Sequence, residues 1–144
     1  MKFTLTLAIA LIAFTSSAVA QNHGTINFKA QIIQLTAYRT RLEDGKRWII
    51  ADGKQDGKLY SITVVVTPDI TTAGTFKIDA SHTATLTISN TDYSHAQNYC
   101  FDGGGSITVN QQNQQFAASA TDLQPGDCFG ARSGTDKLTF TIKP

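Results

Sequence analysis

The chain has few of the residues that carry recognisable catalytic or metal-binding chemistry. Its 144 residues include two cysteines, three histidines and one tryptophan, and Glu43 is the single glutamate. No G-x-S-x-G motif marks a nucleophilic serine, and no Cys-x-x-Cys pair marks a metal site. The 12 basic and 11 acidic side chains nearly balance, so the strongly basic surface typical of nucleic-acid binding is missing. These deficits predict a protein that is not an enzyme and that binds no nucleic acid.

The first 20 residues contain the three parts of a secretory signal peptide. Lys2 supplies the positive charge, an apolar run extends from Leu5 to Phe14, and Ala18-Val19-Ala20 is a small-residue cleavage site. The apolar run is too short to span a bilayer, which needs about 20 such residues. We therefore predict cleavage after Ala20. The expected product is a periplasmic or secreted single all-β domain, residues 21–144, with no membrane span after cleavage.

The only two cysteines, Cys100 and Cys128, lie in the last third of the chain. In an oxidising compartment, two cysteines most simply form one disulfide, although a metal pair or free thiols are alternatives. A closed loop of about 29 residues would stabilise the fold by roughly 3.6 kcal/mol in the chain-entropy model. Gly103–Gly105 precede a strand and not a helix, so we predict a bend beside the bridge and no phosphate-binding loop.

Alternation of apolar and polar residues dominates the mature chain, and no sustained helical period appears there. The alternation is clear over 26–32, 60–66, 84–88 and 138–142, whereas 90–98 is polar and loop-like. The polar residues 110–115 mark the tip of a hairpin. We predict an all-β fold, a single antiparallel β-sandwich or small barrel of seven to nine short strands with one disulfide.

Asp-Gly pairs that begin at Asp44, Asp52 and Asp56 predict three turns. The segment from Asp52 resembles the start of a calcium-binding loop. Such a loop needs oxygen ligands at its third and twelfth positions, which here are Lys54 and Thr63. We interpret the segment as two polar turns.

The predicted mature N-terminus, Gln21-Asn22-His23, offers one metal-binding hypothesis. A free amine, two backbone nitrogens and a histidine at the third position resemble the amino-terminal copper- and nickel-binding motif, and four planar nitrogens suit Cu(II) or Ni(II). Glutamine at an N-terminus readily cyclises, which removes the amine. We therefore prefer a flexible polar leader, and predict no cofactor and no other metal site.

Aromatic and basic residues near polar segments are the candidates for ligand contact. Trp48 follows an arginine; an exposed indole among arginines suggests a glycan or ligand platform, although a lone tryptophan in a small β-domain more often belongs to the core. Tyr93, His95 and Tyr99 lie in or beside the polar segment, and Arg132 follows the second cysteine. These five residues are the predicted ligand-facing positions.

Two family resemblances add to this interpretation. The segment GTINFKA at 24–30, with Ile32-Ile33, resembles the first strand of mature fimbrial (pilin) subunits. That resemblance implies donor-strand exchange, with an incomplete sheet and an open hydrophobic groove. Pilin subunits usually carry a cysteine soon after this strand and a tyrosine near the C-terminus, and this chain has neither.

The second resemblance covers most of the mature chain. The opening strand through Phe28, the segments 59–66, 73–76 and 105–109, and the closing strand 138–142 resemble small bacterial secreted or lipoprotein β-sandwich domains of unknown function. This resemblance implies no catalytic residues.

These observations predict a non-enzymatic binding or structural module of the cell envelope. The expected partner is an envelope or extracellular protein or a glycan. One alternative is a fimbrial-type structural subunit. A small secreted hydrolase is another, and it requires His82 or His95 within hydrogen-bond reach of a serine and an aspartate.

Overall fold

The computed structural model describes residues 20–67, 73–127 and 134–144. Their regular structure consists of β-strands. In chain order, the strands are β1 Gly24–Phe28, β2 Gln31–Gln34, β3 Ala37–Glu43, β4 Lys46–Gln55, β5 Lys58–Val66, β6 Gly74–Lys77, β7 His82–Asn90, β8 Gln97–Cys100, β9 Ser106–Gln112, β10 Gln115–Leu123 and β11 Leu138–Ile142.

The strands form two antiparallel sheets in a sandwich-like arrangement. The six-stranded sheet has the order β2-β1-β11-β10-β9-β6, and the five-stranded sheet has the order β3-β4-β5-β7-β8. The predicted all-β class is therefore confirmed. The predicted count of seven to nine strands is wrong, because the described residues contain eleven.

One apolar core lies between the sheets. Alternate residues of each strand point inward, as the two-residue period of a strand requires. On β11, for example, Leu138, Phe140 and Ile142 are buried, whereas Thr141 is exposed. Both sheets and the segments that follow β2 and β8 contribute fully buried side chains to the core; the largest are Phe101, Phe140, Ile26, Ile33, Leu35, Ile49, Ile62, Leu86, Ile107, Leu123, Leu138 and Ile142.

A tyrosine on β3 ties the two sheets together. The Tyr38 hydroxyl donates to the carbonyl of Phe116 at 2.7 Å and accepts from its backbone N–H at 3.0 Å. Burial raises the pKa of Tyr38, against the opposing effect of its bond to Phe116. The Arg47 guanidinium lies 4.5 Å from the centre of the Phe116 ring, so the edge of the core is covered at this point.

Part of the excess of strands comes from a turn within the predicted first strand. Residues 26–32 form two strands, β1 and β2, separated by Lys29 and Ala30. Both turn residues have positive φ, 52° and 58°, as a two-residue type I′ hairpin requires. Neither is the glycine, asparagine or aspartate that usually marks such a turn, so the alternation alone predicted one continuous strand.

The Asp-Gly pairs form two turns and not three. Turns occur at Asp44-Gly45 and Asp56-Gly57, whereas Asp52 and Gly53 lie inside β4. A Cβ at Gly53 would come within 2.2 Å of the Gln34 carbonyl oxygen. Position 53 therefore requires glycine because the backbone of β2 passes close to it. The predicted turn there is wrong.

The hairpin between the cysteines is formed by β9 and β10. Its tip is at Asn113 and Gln114, which both have positive φ, and Gln112 pairs with Gln115 across it. The glycines that precede β9 bend the chain, as predicted. A Cβ at Gly103 would lie 2.1 Å from the Pro125 carbonyl oxygen, and Gly105 has a φ of 116°.

Cys100 is the one cysteine among the described residues, and it is not a free thiol. It is 2 % exposed, and its carbonyl accepts the backbone N–H of Gly126 at 2.9 Å. Its predicted partner, Cys128, lies outside the described residues, so the pairing stays a prediction.

The predicted signal peptide also lies outside the described residues, apart from Ala20. Within the residues that are described, no helix has the length and apolar character needed to cross a membrane.

Candidate functional site

The outward surface of the five-stranded sheet, called here the outer face, presents a row of polar side chains. The register places Asp52 on β4 opposite Ser61 on β5, and Ser61 opposite Thr87 on β7. Thr87 in turn faces Asn98 on β8 and donates to its side-chain oxygen at 2.7 Å. Their neighbours along each strand point into the core, so the polar row is a consequence of strand alternation.

A cavity of about 340 Å³ opens on this polar row. That volume lies within the usual range for small-molecule sites, roughly 300–1,000 Å³. Its lining combines two opposite charges, three serine or threonine side chains, one aliphatic residue and one tyrosine. The lining residues are Arg39, Asp52, Leu59, Ser61, Thr87, Ser89 and Tyr93.

Asp52 is held in one position before any ligand arrives. One carboxylate oxygen accepts the Ser61 hydroxyl at 2.6 Å, and the other accepts the guanidinium of Arg39 in an ion pair. The Asp52 side chain is 19 % exposed and that of Arg39 is 56 % exposed. The pair therefore keeps contact with solvent at the mouth of the cavity.

Two of the residues that line the cavity are buried. Leu59 lies on the outer face of β5 but is only 8 % exposed, and Ser89 on β7 is 4 % exposed. The Tyr93 side chain, by contrast, is 75 % exposed. The site thus has a buried floor and one solvent-exposed aromatic ring at its rim.

A tight turn between β7 and β8 positions Tyr93. The Tyr93 backbone N–H donates to the Asn90 carbonyl at 2.8 Å, and the Asn90 N–H donates to the Ser94 carbonyl at 3.0 Å. Asp92 accepts the Ser94 hydroxyl at 2.6 Å and the Ser94 backbone N–H at 3.0 Å. The hydroxyl bond, followed by the backbone bond, lowers the pKa of Asp92 from its usual 3.8. Tyr93 adopts a φ of 63° within this network.

A smaller cavity lies on the other side of the same turn. Its volume is about 100 Å³, and it is lined by Lys58, Ile88, Ser89, Asn90, His95 and Gln97. Ser89 lines both cavities, so the turn separates two openings with Tyr93 on one side and His95 on the other. The larger cavity contains the charged pair and the exposed ring, and we take it as the candidate site.

Trp48 lies on the outer face but does not line either cavity. The Arg41 guanidinium lies 4.5 Å from the centre of the indole ring, and Arg41 also pairs with Glu43 at 3.3 Å. The indole nitrogen is buried and has no hydrogen-bond partner. Trp48 is thus on the outer face and not in the core, and one face of its ring is covered by an arginine.

The other predicted ligand-facing residues do not lie together in one site. Tyr99 points into the core at 8 % exposure, and its ring packs edge-on against Phe28 with centroids 5.0 Å apart. Its hydroxyl donates to the Gln97 side chain at 2.9 Å. Arg132 lies outside the described residues. The turn residues Tyr93 and His95 are therefore the two predicted residues that line cavities.

The nitrogens that a copper motif would use at His23 are already engaged. The His23 backbone N–H donates to the Leu35 carbonyl at 2.8 Å, and its Nδ1 lies 3.1 Å from the Lys143 carbonyl oxygen. The Asn22 side chain accepts the Gly24 N–H at 2.8 Å. The segment is held against the fold by these contacts. Across the described residues, no cluster of three or more His, Cys, Asp or Glu side chains could hold a metal ion.

Neither histidine considered for a hydrolase bridges a serine and an aspartate. His82 Nδ1 lies 3.0 Å from Asp79, and its ring stacks on Phe76. The backbone N–H groups of Ser81 and His82 also donate to Asp79, and these bonds, that of Ser81 first, lower its pKa.

His95 has a serine neighbour in an arrangement unlike that of a catalytic triad. Its Nδ1 lies 3.0 Å from the Ser94 hydroxyl, but that hydroxyl donates to Asp92. In a catalytic triad the histidine lies between serine and aspartate and takes the serine proton. Here the serine lies between the other two, so the contact stabilises the turn.

Comparisons with known proteins identify no relative. No family model, no curated protein and no solved structure matches the chain. The candidate site therefore rests on the geometry of the chain itself.

Sequence patterns missed most of the site. Arg39, Asp52 and Ser61 come together only through the pairing of β3, β4 and β5. The glycine after Asp52 predicts a turn, whereas both residues lie inside β4. The alternation over 60–66 could have located one residue of the site. Ser61 and Thr63 alternate there with apolar residues, so both must face outward.

Proposed function

We propose that this protein is a non-enzymatic binding module of the cell envelope that holds its ligand in the cavity on the outer face. The proposed mature form is periplasmic or secreted, begins after Ala20 and carries a Cys100–Cys128 disulfide. The observation that carries the proposal is the Arg39–Asp52–Ser61 network, which is fixed at the mouth of a cavity of about 340 Å³.

The fixed network favours binding because it lowers the cost of association. A side chain that is ordered on binding costs roughly 0.5–1.5 kcal/mol, and a side chain already held in place avoids that cost. Asp52 has two internal partners, and Tyr93 is carried on a turn closed by two backbone hydrogen bonds. The cavity can therefore accept a ligand with little rearrangement of its walls.

The same groups are poorly suited to hydrolysis. The Ser61 hydroxyl donates a hydrogen bond to the Asp52 carboxylate, and no histidine is among the described residues that line the larger cavity. A serine hydroxyl is a weak nucleophile unless an adjacent base activates it, and a carboxylate is a weaker base than an imidazole. This arrangement supports a binding role over the hydrolase alternative.

The position of β1 supports a binding module over a donor-strand subunit. β1 pairs with β2 on one side and with β11 on the other. Its inward residues Ile26 and Phe28 are 0 % and 3 % exposed, so the core is closed around them. A subunit that awaits a donor strand would expose a groove in its core.

The proposal is tested by mapping where an envelope extract binds. The ¹⁵N-labelled mature domain is titrated with a fractionated envelope extract, and changes in amide shifts are followed by NMR. We expect the changes to cluster at Ser61, Thr87 and Tyr93. Ser61→Tyr, which fills the cavity, is expected to abolish them.

Ser119→Tyr is the matched control, because Ser119 faces outward on the six-stranded sheet between Thr108 and Thr141. It adds the same ring to the opposite surface and is expected to leave the shift changes intact. Shift changes that map to the six-stranded sheet, or that persist in Ser61→Tyr, would overturn the proposal.

A further inference from the structure

We infer that the ligand of this cavity is a neutral saccharide that presents adjacent hydroxyl groups and an apolar ring face. This inference rests on the proposed binding function and adds the class of ligand. It follows from three properties of the lining: paired donors and acceptors, balanced charge, and one open aromatic ring beside a buried aliphatic floor.

The Arg39–Asp52 pair offers complementary partners to adjacent hydroxyls. A hydroxyl both donates and accepts, a carboxylate only accepts, and a guanidinium only donates through its five N–H groups. Arg39 is 56 % exposed, so N–H groups beyond the one bound to Asp52 can reach a ligand. Two neighbouring hydroxyls can therefore bind the pair together, one donating to Asp52 and the other accepting from Arg39.

The hydroxyl side chains extend this polar strip across the sheet. Ser61 and Thr87 lie opposite each other on β5 and β7, and Ser89 lies one outward position beyond Thr87. Each can donate or accept as the ligand requires. A ligand with several hydroxyls matches this lining better than one with a single polar group.

The charge of the lining favours a neutral ligand. Arg39 and Asp52 are the only charged residues among the seven that line the cavity, and they form an ion pair. An anion would be attracted by Arg39 but repelled by Asp52, which lies beside it. A cation would be attracted by Asp52 but repelled by Arg39. A neutral polyhydroxyl ligand uses both groups without an unpaired charge.

Tyr93 and Leu59 supply the apolar half of the site. Aromatic rings carry a negative face, which attracts the weakly positive C–H groups on one side of a sugar ring. The Tyr93 ring is 75 % exposed and free to stack, whereas the Trp48 ring already has an arginine against one face. Leu59 at 8 % exposure forms part of the apolar surface of the cavity. Tyr93 is therefore the stacking residue of the site.

The test is NMR titration of the labelled mature domain with neutral tetrasaccharides of glucose, mannose and N-acetylglucosamine. A tetrasaccharide of galacturonic acid and inorganic phosphate serve as charged probes. We expect at least one neutral tetrasaccharide to shift the amides of Ser61, Thr87 and Tyr93. Its affinity should change by less than about twofold between low and high salt, because no net charge is neutralised.

Substitutions of Tyr93 and Asp52 test whether these side chains contact the saccharide. Tyr93→Ala should weaken saccharide binding at least about fivefold, as loss of an exposed aromatic anchor does, whereas Tyr93→Phe should retain it. Asp52→Asn keeps the shape but removes the charge-assisted acceptor, and should also weaken binding. Leu42→Ala is the matched control, since Leu42 is exposed at 54 % on the edge strand β3 away from the cavity.

The outcomes separate the ligand class from the binding function. If an envelope fraction shifts the cavity but no neutral tetrasaccharide does, the saccharide class is wrong and the binding function stands. Salt-sensitive binding of the charged probes alone would also overturn the class. Saccharide shifts that map to the six-stranded sheet would overturn both.

Discussion

The Ser61 hydroxyl on β5 donates to the Asp52 carboxylate on the neighbouring strand β4 at 2.6 Å. The two residues are directly opposite in the register, so the bond fixes Asp52 without distorting either strand. It also leaves the second carboxylate oxygen to the guanidinium of Arg39. The contact therefore holds the acidic side chain of the candidate site in place.

Ser61→Ala should lower the free energy of unfolding by about 1 kcal/mol, because Asp52 loses one hydrogen-bond donor. Urea unfolding of the purified domain measures the change. Ser119→Ala on the other sheet should cost less than about 0.5 kcal/mol, as surface substitutions away from such contacts usually do. Equal losses in the two variants would contradict the role given to Ser61.

Phe140→Ala should lower the free energy of unfolding by about 3–5 kcal/mol, the usual cost of removing a fully buried ring. Phe140 is 1 % exposed on the central strand β11. Thermal and urea unfolding provide the measurement, with Leu42→Ala as the exposed control. A loss below about 1 kcal/mol would show that the core is not closed at this position.

Arg41 and Trp48 should be energetically coupled by about 0.5–1 kcal/mol, the usual strength of an exposed cation–π contact. A double-mutant cycle with Arg41→Gln and Trp48→Phe measures this coupling. Trp48 is the only tryptophan, so the emission of the Arg41 variant reports its surroundings alone, and a shift is expected. Additive effects in the cycle would rule the contact out.

Ser94→Ala should raise the pKa of Asp92 toward its usual 3.8, since the Ser94 hydroxyl is the main cause of the lowered value. The hydrogen bonds that lower the pKa of Asp92 stabilise the turn fully when the pH is above the ordinary carboxyl pKa. That stabilisation is lost as the pH falls through the lowered pKa of the folded protein. The wild-type turn should therefore persist to lower pH than the variant turn. Carboxyl ¹³C titration and the Tyr93 amide shift follow both changes, and identical titrations would contradict the assignment.

The proposed disulfide between Cys100 and Cys128 predicts a specific thiol count. The denatured mature domain should give no free thiols before reduction and two after it. Cys100→Ser with Cys128→Ser should lower the free energy of unfolding by roughly 3.6 kcal/mol, the value for a loop of about 29 residues. Free thiols before reduction would end this hypothesis.

The sequence predicted the strands better than their connections. Alternation located β5, β7 and β11 because each buries one face. It could not divide residues 26–32, because Lys29 and Ala30 adopt positive φ without the residues that usually favour it. Local propensity carries little information where the pairing of neighbouring strands decides the backbone.

The site was less predictable than the fold because strand pairing brings most of its residues together. Tyr93 and His95 were recognised from their place in a polar segment, and both line cavities. Arg39 and Asp52 are 13 residues apart and meet only because β3 and β4 pair. Composition leaves both the core and the surface open for Trp48, and the register of β4 with β3 and β5 places it on the outer face.

The pairing of β1 with β11 has a consequence for how the protein acquires its fold. Gly24 lies opposite Ile142, so the first strand completes its hydrogen bonds only with the last. Contacts so distant in sequence close slowly and late, because the intervening loop must first be ordered. The six-stranded sheet therefore cannot be completed until β11 has left the ribosome. Pairing of β1 with β11 is expected to be among the last steps of folding.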